Sequence, residues 1–468
     1  MGETYNGTHD VAKHKHPKTK NRKKRKQNLQ ETPPYPDLNL NLERSNYGVQ
    51  PMGNLLFNSD SFNARDVGLG TLTLFKDETL VEIFGLLDAK DLGRLALVSK
   101  AMYVFSNQDS LWRALVLDHL KGTFTFQGFW KSTYIAAHWP NTFEALGVPF
   151  KVSNFYSDYL FQSWLCANLE MKQEWLEVDN IERREKLPLQ EFIDSFEEPN
   201  KPVLIRDGLA NWAALNKWDR EYLCEMAGDV EFAVGPVEMK LRDYFVYADS
   251  VKEERPLYLF DPKFGEKVPT LAEDYEIPIY FREDLFSLLG KERPDYRWLI
   301  LGPARSGSSF HIDPNSTSAW NAVIKGSKKW ILFPPDVVPP GVHPSPDGAE
   351  VASPVSIIEW FMNFYGETKH WKKRPTECIC RAGEVIFVPN GWWHLVINLE
   401  DSIAITQNYV SRRNLLNVLD FLSRPNSREL VSGTKDRVNL YDKFRSVYET
   451  FKPGSIDELK CKEEEKKN

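Results

Sequence analysis

The 468 residues are 42% hydrophobic and 13% aromatic, enough to build two or three packed domains, which excludes a fibrous or wholly disordered chain. The formal net charge of -7 is uneven: residues 1–30 hold nine Lys/Arg against Glu3 and Asp10, so a basic arm precedes an acidic body, which suits a basic partner rather than a nucleic-acid backbone. Five scattered cysteines with no C-x-x-C pair speak against a disulfide framework or zinc ribbon and suit an intracellular protein; no apolar leader and no run of 18 apolar residues signals secretion or a membrane span.

Residues 1–66 are polar and aperiodic, with Pro33-Pro34-Tyr35-Pro36 and many Asn, and are expected to be a disordered basic arm and linker. Within them Lys13-His14-Lys15-His16-Pro17-Lys18-Thr19-Lys20-Asn21-Arg22-Lys23-Lys24-Arg25-Lys26 reads as a nuclear import signal or a nucleic-acid contact. The nucleus is therefore the expected location, and RNA an expected partner of the arm.

From Leu72 to Leu117 the pattern turns helical. Asp77 is expected to cap a helix with Leu80, Ile83, Phe84 and Leu87, Asp91 to open a second with Leu92 and Leu95, and Asp109 a third with Leu111, Trp112 and Leu115. The stretches Leu72-Thr73-Leu74, Glu82-Ile83-Phe84, Leu92-Gly93-Arg94-Leu95-Ala96-Leu97-Val98-Ser99-Lys100 and Ser110-Leu111-Trp112-Arg113 resemble an F-box, with Leu74-Phe75 where that family usually has Leu-Pro. The resemblance implies docking of residues 72–117 to a Skp1-type adaptor of a cullin ubiquitin ligase.

Residues 121–200 continue mostly helical and rich in Trp, as a bridge. Pro202–Arg206 reads as a buried strand, Asp219 as the cap of a helix over Arg220–Met226, and Leu241–Ala248 as a further helix. Short strands then follow over 258–260, 297–301, 309–312, 319–324, 329–333, 378–381, 385–388, 394–398 and 403–408, punctuated by Gly326, Gly383 and Asn390-Gly391. Eight or nine strands without βαβ alternation predict an α+β chain: a jelly roll of the cupin kind, a double-stranded β-helix, behind a small all-α module. Pro334 to Pro354 is expected to be a loop and Ile357–Tyr365 an inserted helix. The expected divisions are 1–66 arm, 67–120 helical module, 121–200 bridge, 201–410 jelly roll, 411–455 C-terminal helices and 456–468 a disordered, fraying tail.

His311 and Asp313 stand two apart in a strand, so both side chains leave one face. His394 begins a later strand after Gly391-Trp392-Trp393, where a jelly roll can set it across from His311. Two histidines and one carboxylate leave three positions of an octahedral metal open, the arrangement of non-heme Fe(II) oxygenases. A 2-oxo acid that chelates such iron needs a cation for its far carboxylate, and Lys328, on an apolar strand, fits; its neighbour Lys329 faces the other way and reads as a solvated strand edge. Trp320, Trp392 and Trp393 offer aromatic faces for a methylated cation, with core packing the expected role for at least two of them.

The motifs Arg297-Trp298, Gly302-Pro303, Arg305-Ser306-Gly307, His311-Ile312-Asp313-Pro314, Thr317-Ser318-Ala319-Trp320-Asn321-Ala322, Gly391-Trp392-Trp393-His394 and Ile403-Ala404-Ile405-Thr406-Gln407-Asn408 occur in order. They closely resemble the JmjC family of Fe(II)- and 2-oxoglutarate-dependent oxygenases, in the subgroup described as arginine demethylases and lysyl hydroxylases. The resemblance implies that His311, Asp313 and His394 hold iron and that Lys328, with the hydroxyls of Tyr258 and Thr406, binds the 2-oxoglutarate C5 carboxylate. Ser308 stands where close relatives have Thr, and Asn321 and Asn408 match polar pocket positions. Implied are O2 as co-substrate and histone or other basic protein tails as substrate, with arginine demethylation the first reading and lysyl hydroxylation the second. A ubiquitin-ligase substrate adaptor whose jelly roll only binds is the alternative from another class.

Overall fold

The computed structural model describes residues 51–53, 62–144 and 149–467. The basic run and the rest of residues 1–50 lie outside the described residues, as do 54–61 and 145–148. Part of the expected arm is nonetheless structured: Met52 pairs in parallel with Tyr156, and α1 (Ala64–Gly68) is capped by Asn63, whose side chain also bonds both backbone groups of Tyr156.

The helical module follows as a 3-10 turn (Gly70–Leu74), α2 (Asp77–Phe84), α3 (Ala89–Leu95), α4 (Lys100–Ser106) and α5 (Asp109–Leu120). Leu80, Phe84, Leu92, Val104, Phe105, Leu111, Trp112 and Val116 form its centre. The caps differ from expectation. Asp77 is the first residue of α2 and spends its carboxylate on Arg65 Nε (2.6 Å) and the Ser157 hydroxyl. Asp88, not Asp91, caps α3, and Asp109 lies inside α5 after Gln108. The unforeseen α4 starts at Ser99, whose hydroxyl accepts from Met102 N; its apolar residues 101, 102, 104 and 105 are buried all round, so the amphipathic period that marks the other helices is absent. The bridge contains α6 (Trp130–His138), α7 (Pro140–Glu144) and α8 (Asp158–Asn168), then the unforeseen strand β1 (Arg183–Arg184), and ends as helix over Leu189–Phe192 and Ile193–Glu197.

The remaining strands are β2 (Val203–Ile205), β3 (Glu231–Val234), β4 (Val237–Lys240), β5 (Leu259–Asp261), β6 (Arg297–Gly302), β7 (Gly307–His311), β8 (Ser318–Lys325), β9 (Ser327–Phe333), β10 (His343–Pro344), β11 (Val351–Ala352), β12 (Thr376–Arg381), β13 (Val385–Val388), β14 (Trp393–Asn398) and β15 (Ser402–Tyr409). Among the described residues they form a nine-stranded sheet, β1-β2-β13-β8-β15-β6-β5-β3-β4, a four-stranded sheet, β12-β9-β14-β7, and the small hairpin β10-β11 within the Pro-rich loop. From β6 to β9, and again from β12 to β15, successive strands alternate between the two large sheets, as a jelly roll requires. Gly326 makes one such crossing in a single residue: its φ is +77°, and a Cβ there would come 2.4 Å from the Asp401 carbonyl.

Both sheets are apolar on the faces they share, with β8, β9, β13 and β14 buried along nearly their whole length. Lys329 therefore does not meet solvent. It is fully buried and pairs with Glu377 at 2.7 Å, because β12 and an outer segment cover the face expected to be an edge. The inserted helix (Ile357–Asn363) lays Trp360 against Phe310 of β7 at 4.9 Å. Helices Leu415–Leu422 and Leu440–Phe451 pack with Leu285–Glu292. The tail expected to fray is helical from Ser455 to Lys467; Ile456 inserts into the same cluster, and the Glu/Lys run that follows has good helix propensity. No described helix is long and apolar enough to cross a membrane.

Candidate active site

Strands β7 and β14 are neighbours in the small sheet, and their register sets His311 opposite His394 with ring centroids 4.1 Å apart. The approach is close because Gly307 opens β7: a Cβ there would lie 2.0 Å from the Val396 carbonyl. Asp313 sits two residues past His311, just beyond the strand, with extended φ/ψ of -57°/140°, so the parity of the sequence spacing survives. Ligand atoms of the three side chains all fall within 4.8 Å of one another.

The protonation states suit a cation. His311 Nδ1 donates to the Ser309 carbonyl at 2.8 Å and His394 Nδ1 to the Trp392 carbonyl at 3.1 Å, which leaves each Nε2 lone pair for a metal. Burial, reinforced by the neighbouring His311, holds His394 well below the usual imidazole range, so it stays neutral. Burial raises the Asp313 carboxyl to about 6, against the pull of His311. Its Oδ1 accepts a long hydrogen bond from Asn408 (3.4 Å), while Oδ2 is buried with no partner among the described residues. An orphaned carboxylate oxygen is costly, and a divalent cation between the three side chains would satisfy it, so the residues fit a metal of the iron type.

At the other end of the same space, of about 530 Å³, lies Lys328. It is fully buried, and its Nζ donates to Tyr258 Oη (3.0 Å) and Asn398 Oδ1 (2.7 Å), with no carboxylate partner among the described residues. Burial lowers its pKa to about 7. Thr406 lines the cavity and donates its hydroxyl proton to the Trp320 carbonyl at 2.8 Å, which leaves its oxygen as an acceptor there. Ser308 and Asn321 lie on the wall, and Asn321 Oδ1 is buried without a partner among the described residues. Thus His311, Asp313, His394, Tyr258, Ser308, Asn321, Lys328 and Thr406 all face one cavity, together with Asn408.

The three tryptophans do not line it. Trp320 stacks on Phe281 (5.8 Å) in the core, Trp392 donates its indole N–H to the Asn200 carbonyl, and Trp393 is buried. The aromatic wall comes instead from Phe260 and Trp298, stacked at 5.3 Å and 25°, and from Trp330, stacked on His394 at 5.9 Å. Strand parity carried that signal: Phe260 is two residues from Tyr258, and Trp298 alternates with Ile300, its strand neighbour across the ladder from Phe260. Asn398, which holds Lys328, was equally unmarked, since its role rests on a contact 70 residues away.

Two family descriptions match the chain: a cupin-like domain over residues 188–414 and an F-box-like domain over 77–118. The chain is similar to the arginine-specific demethylase JMJ22 of Arabidopsis thaliana, 66% identical over 90% of this chain and 84% of the relative. It is 41% identical to the bifunctional arginine demethylase and lysyl-hydroxylase psr-1 of Caenorhabditis elegans, over 51% of this chain and 63% of the relative. It is 29% identical to the human 2-oxoglutarate and iron-dependent oxygenase JMJD4, over 50% of this chain and 62% of the relative.

Proposed function

The chain belongs to the cupin-like JmjC family of iron- and 2-oxoglutarate-dependent oxygenases, and on that footing we propose that it demethylates arginine side chains of basic protein tails, histones foremost. The observation that carries the reading is the pairing, in one cavity, of a His311-Asp313-His394 cluster, half-buried at the first two and buried at His394, with a buried lysine that has no carboxylate partner among the described residues. His311, Asp313 and His394 would hold Fe(II), and Lys328, with Tyr258 and Thr406, would take the far carboxylate of 2-oxoglutarate. Bound there, iron with 2-oxoglutarate and O2 supplies an oxidant that converts a substrate C–H to C–OH, with 2-oxoglutarate leaving as succinate and CO2. A hydroxylated N-methyl group then collapses to formaldehyde and the free guanidine, whereas a hydroxylated side-chain carbon stays an alcohol.

The chain's own residues decide orientation and access. Lys328 and Asn398 fix the co-substrate end; Ile300, Val388 and Val396 keep the interior apolar; Phe260 and Trp298 give a planar cation a stacking face at the mouth. Lysyl hydroxylation is the second outcome of the same site, favoured by the similarity to a bifunctional relative. Mass spectrometry of dimethyl-arginine and unmodified lysine peptides, after incubation with Fe(II) and 2-oxoglutarate, separates them. Loss of one CH2 supports demethylation, gain of one oxygen supports hydroxylation, and unchanged peptides with both would sink the reading.

An adaptor role for the F-box-like module is supported by its surface: Leu74, Leu86 and Leu97 are 86–89% exposed and Val98 67%. Such apolar side chains on a small module fit a Skp1-type partner, and the role is compatible with catalysis. A nuclear site of action and an RNA contact both rest on the basic run. Loss of nuclear accumulation, and of salt-sensitive RNA binding, on deleting residues 13–26 would support them.

A further inference from the structure

A second cavity, of about 690 Å³, lies between α5 and the jelly roll, and Tyr258, Ser308 and Ser309 form part of its wall and of the active-site wall alike. Its charged lining is three arginines, Arg113, Arg255 and Arg305, against the single Glu254. Arg255 and Arg305 have no carboxylate at ion-pair distance among the described residues, whereas Arg113 has one. Arg305, held at a φ of +75° in the turn before β7, gives its guanidinium to the carbonyls of Cys166 and Ala167 at the end of α8, and its Nε is buried without a hydrogen-bond partner among the described residues. Arg113, on α5, lies over the Trp130 ring at 5.9 Å and pairs with Glu253 Oε2 at 3.5 Å, with Asp109 and Glu254 also in its field; its Nε has no hydrogen-bond partner among the described residues. Arg255 is exposed and makes no ion pair or hydrogen bond among the described residues. Glu254 is already engaged by the Ser163 hydroxyl at 2.7 Å.

We propose that this cavity is a second substrate subsite, which takes an anionic side chain, carboxylate or phosphate, of the same polypeptide whose target residue enters the iron-site cavity. The proposal rests on the reading of the chain as a protein-modifying oxygenase. Guanidinium groups without carboxylates bind such anions by charge-assisted, often bidentate, hydrogen bonds. An extended peptide advances about 3.3–3.6 Å per residue, so cavities that share one layer of wall correspond to positions roughly two to four residues apart. The F-box-like module then does more than dock an adaptor: Arg113 and Ala114 of α5 make it one wall of substrate selection.

The test uses the full chain and dimethyl-arginine peptides that carry Glu, phosphoserine or Gln three positions from the target, with binding read by fluorescence anisotropy and turnover by mass spectrometry. The expected result is about tenfold tighter binding of an anionic peptide than of the Gln peptide. Arg255→Glu should erase that preference while uncoupled 2-oxoglutarate consumption stays unchanged. Ala114→Trp, an exposed change that fills the cavity from α5, should weaken the anionic peptides and spare the Gln peptide. The Glu and phosphoserine arms tell which anion is used. Equal binding of all three peptides, or a preference that survives both variants, overturns the proposal. A preference without demethylation overturns the demethylase reading and leaves the subsite standing.

Discussion

Lys328 Nζ donates to Asn398 Oδ1 at 2.7 Å, and the Asn398 amide in turn donates to Ser306 Oγ at 2.9 Å, whose hydroxyl proton goes to the Pro303 carbonyl. The buried ammonium is thus aimed by a neutral acceptor, which leaves its charge for a ligand. Asn398→Leu removes the acceptor, and about a tenfold rise in the KM for 2-oxoglutarate is expected. Asn398→Asp installs a competing carboxylate beside Lys328 and should raise it as well. Steady-state kinetics with varied 2-oxoglutarate checks both, and an unchanged KM in Asn398→Asp would refute the assignment.

The lowered pKa of Lys328, about 7 in the ligand-free chain, has a pH signature. An anion beside the amine favours its protonated form, so 2-oxoglutarate binding above pH 7 should take up a proton, and affinity should decline as pH rises. Calorimetric titration in two buffers of different ionisation enthalpy measures the uptake. The linkage to stability has the opposite trend. The unfolded lysine keeps its proton to about 10.4 while the folded one releases it near 7, so Lys328 makes the ligand-free protein more stable as pH rises through that window.

Metal binding should depend on the residue behind Asp313 as well as on Asp313 itself. Asn408 holds Asp313 Oδ1 at 3.4 Å and is anchored by Thr317 Oγ1 at 2.9 Å. Asn408→Ala should weaken Fe(II) or Mn(II) binding by about 10–100-fold. His311→Ala should abolish the thermal stabilisation that added metal gives. A thermal-shift titration reads both, and a metal-induced shift that persists in His311→Ala would exclude the assigned site.

The buried Lys329–Glu377 pair predicts a stability effect separate from chemistry. Lys329→Met leaves Glu377 buried and unpaired except for Tyr365, and should cost about 3–5 kcal/mol. Adding Glu377→Leu should recover most of that loss. Urea unfolding of the single and double variants measures the difference, and additive losses would show that the pair is not coupled.

If the exposed leucines of the helical module dock an adaptor, Leu86→Asp with Leu97→Asp should abolish co-purification with a Skp1-type protein. 2-Oxoglutarate turnover should be unaffected, since neither residue touches the active-site cavity.

The metal cluster was legible because strand parity is local: two residues on one strand share a face wherever the strand goes, so His311 and Asp313 announce themselves. His394 and Lys328 needed the fold class, which turn signals such as Gly326 and Gly383 mark. What stayed hidden depends on which surfaces meet. Lys329 looked like an edge residue because nothing near it in sequence says that Glu377 and Val178 will cover it. Trp320 could have been pocket wall or core on spacing alone, and Phe281, 39 residues upstream, claims its face for the core. The caps of α2, α3 and α5 each fell one to three residues before the expected aspartate, because several acids compete there and tertiary partners such as Arg65 decide among them.

Strand β7 is the outermost member of the four-stranded sheet, tied to its neighbour by a ladder that shifts register between His394 and Val396. A cation shared by His311 and His394 would rivet that loose border to the interior, so occupancy should be readable far from any turnover assay, as slower amide hydrogen exchange along residues 307–311.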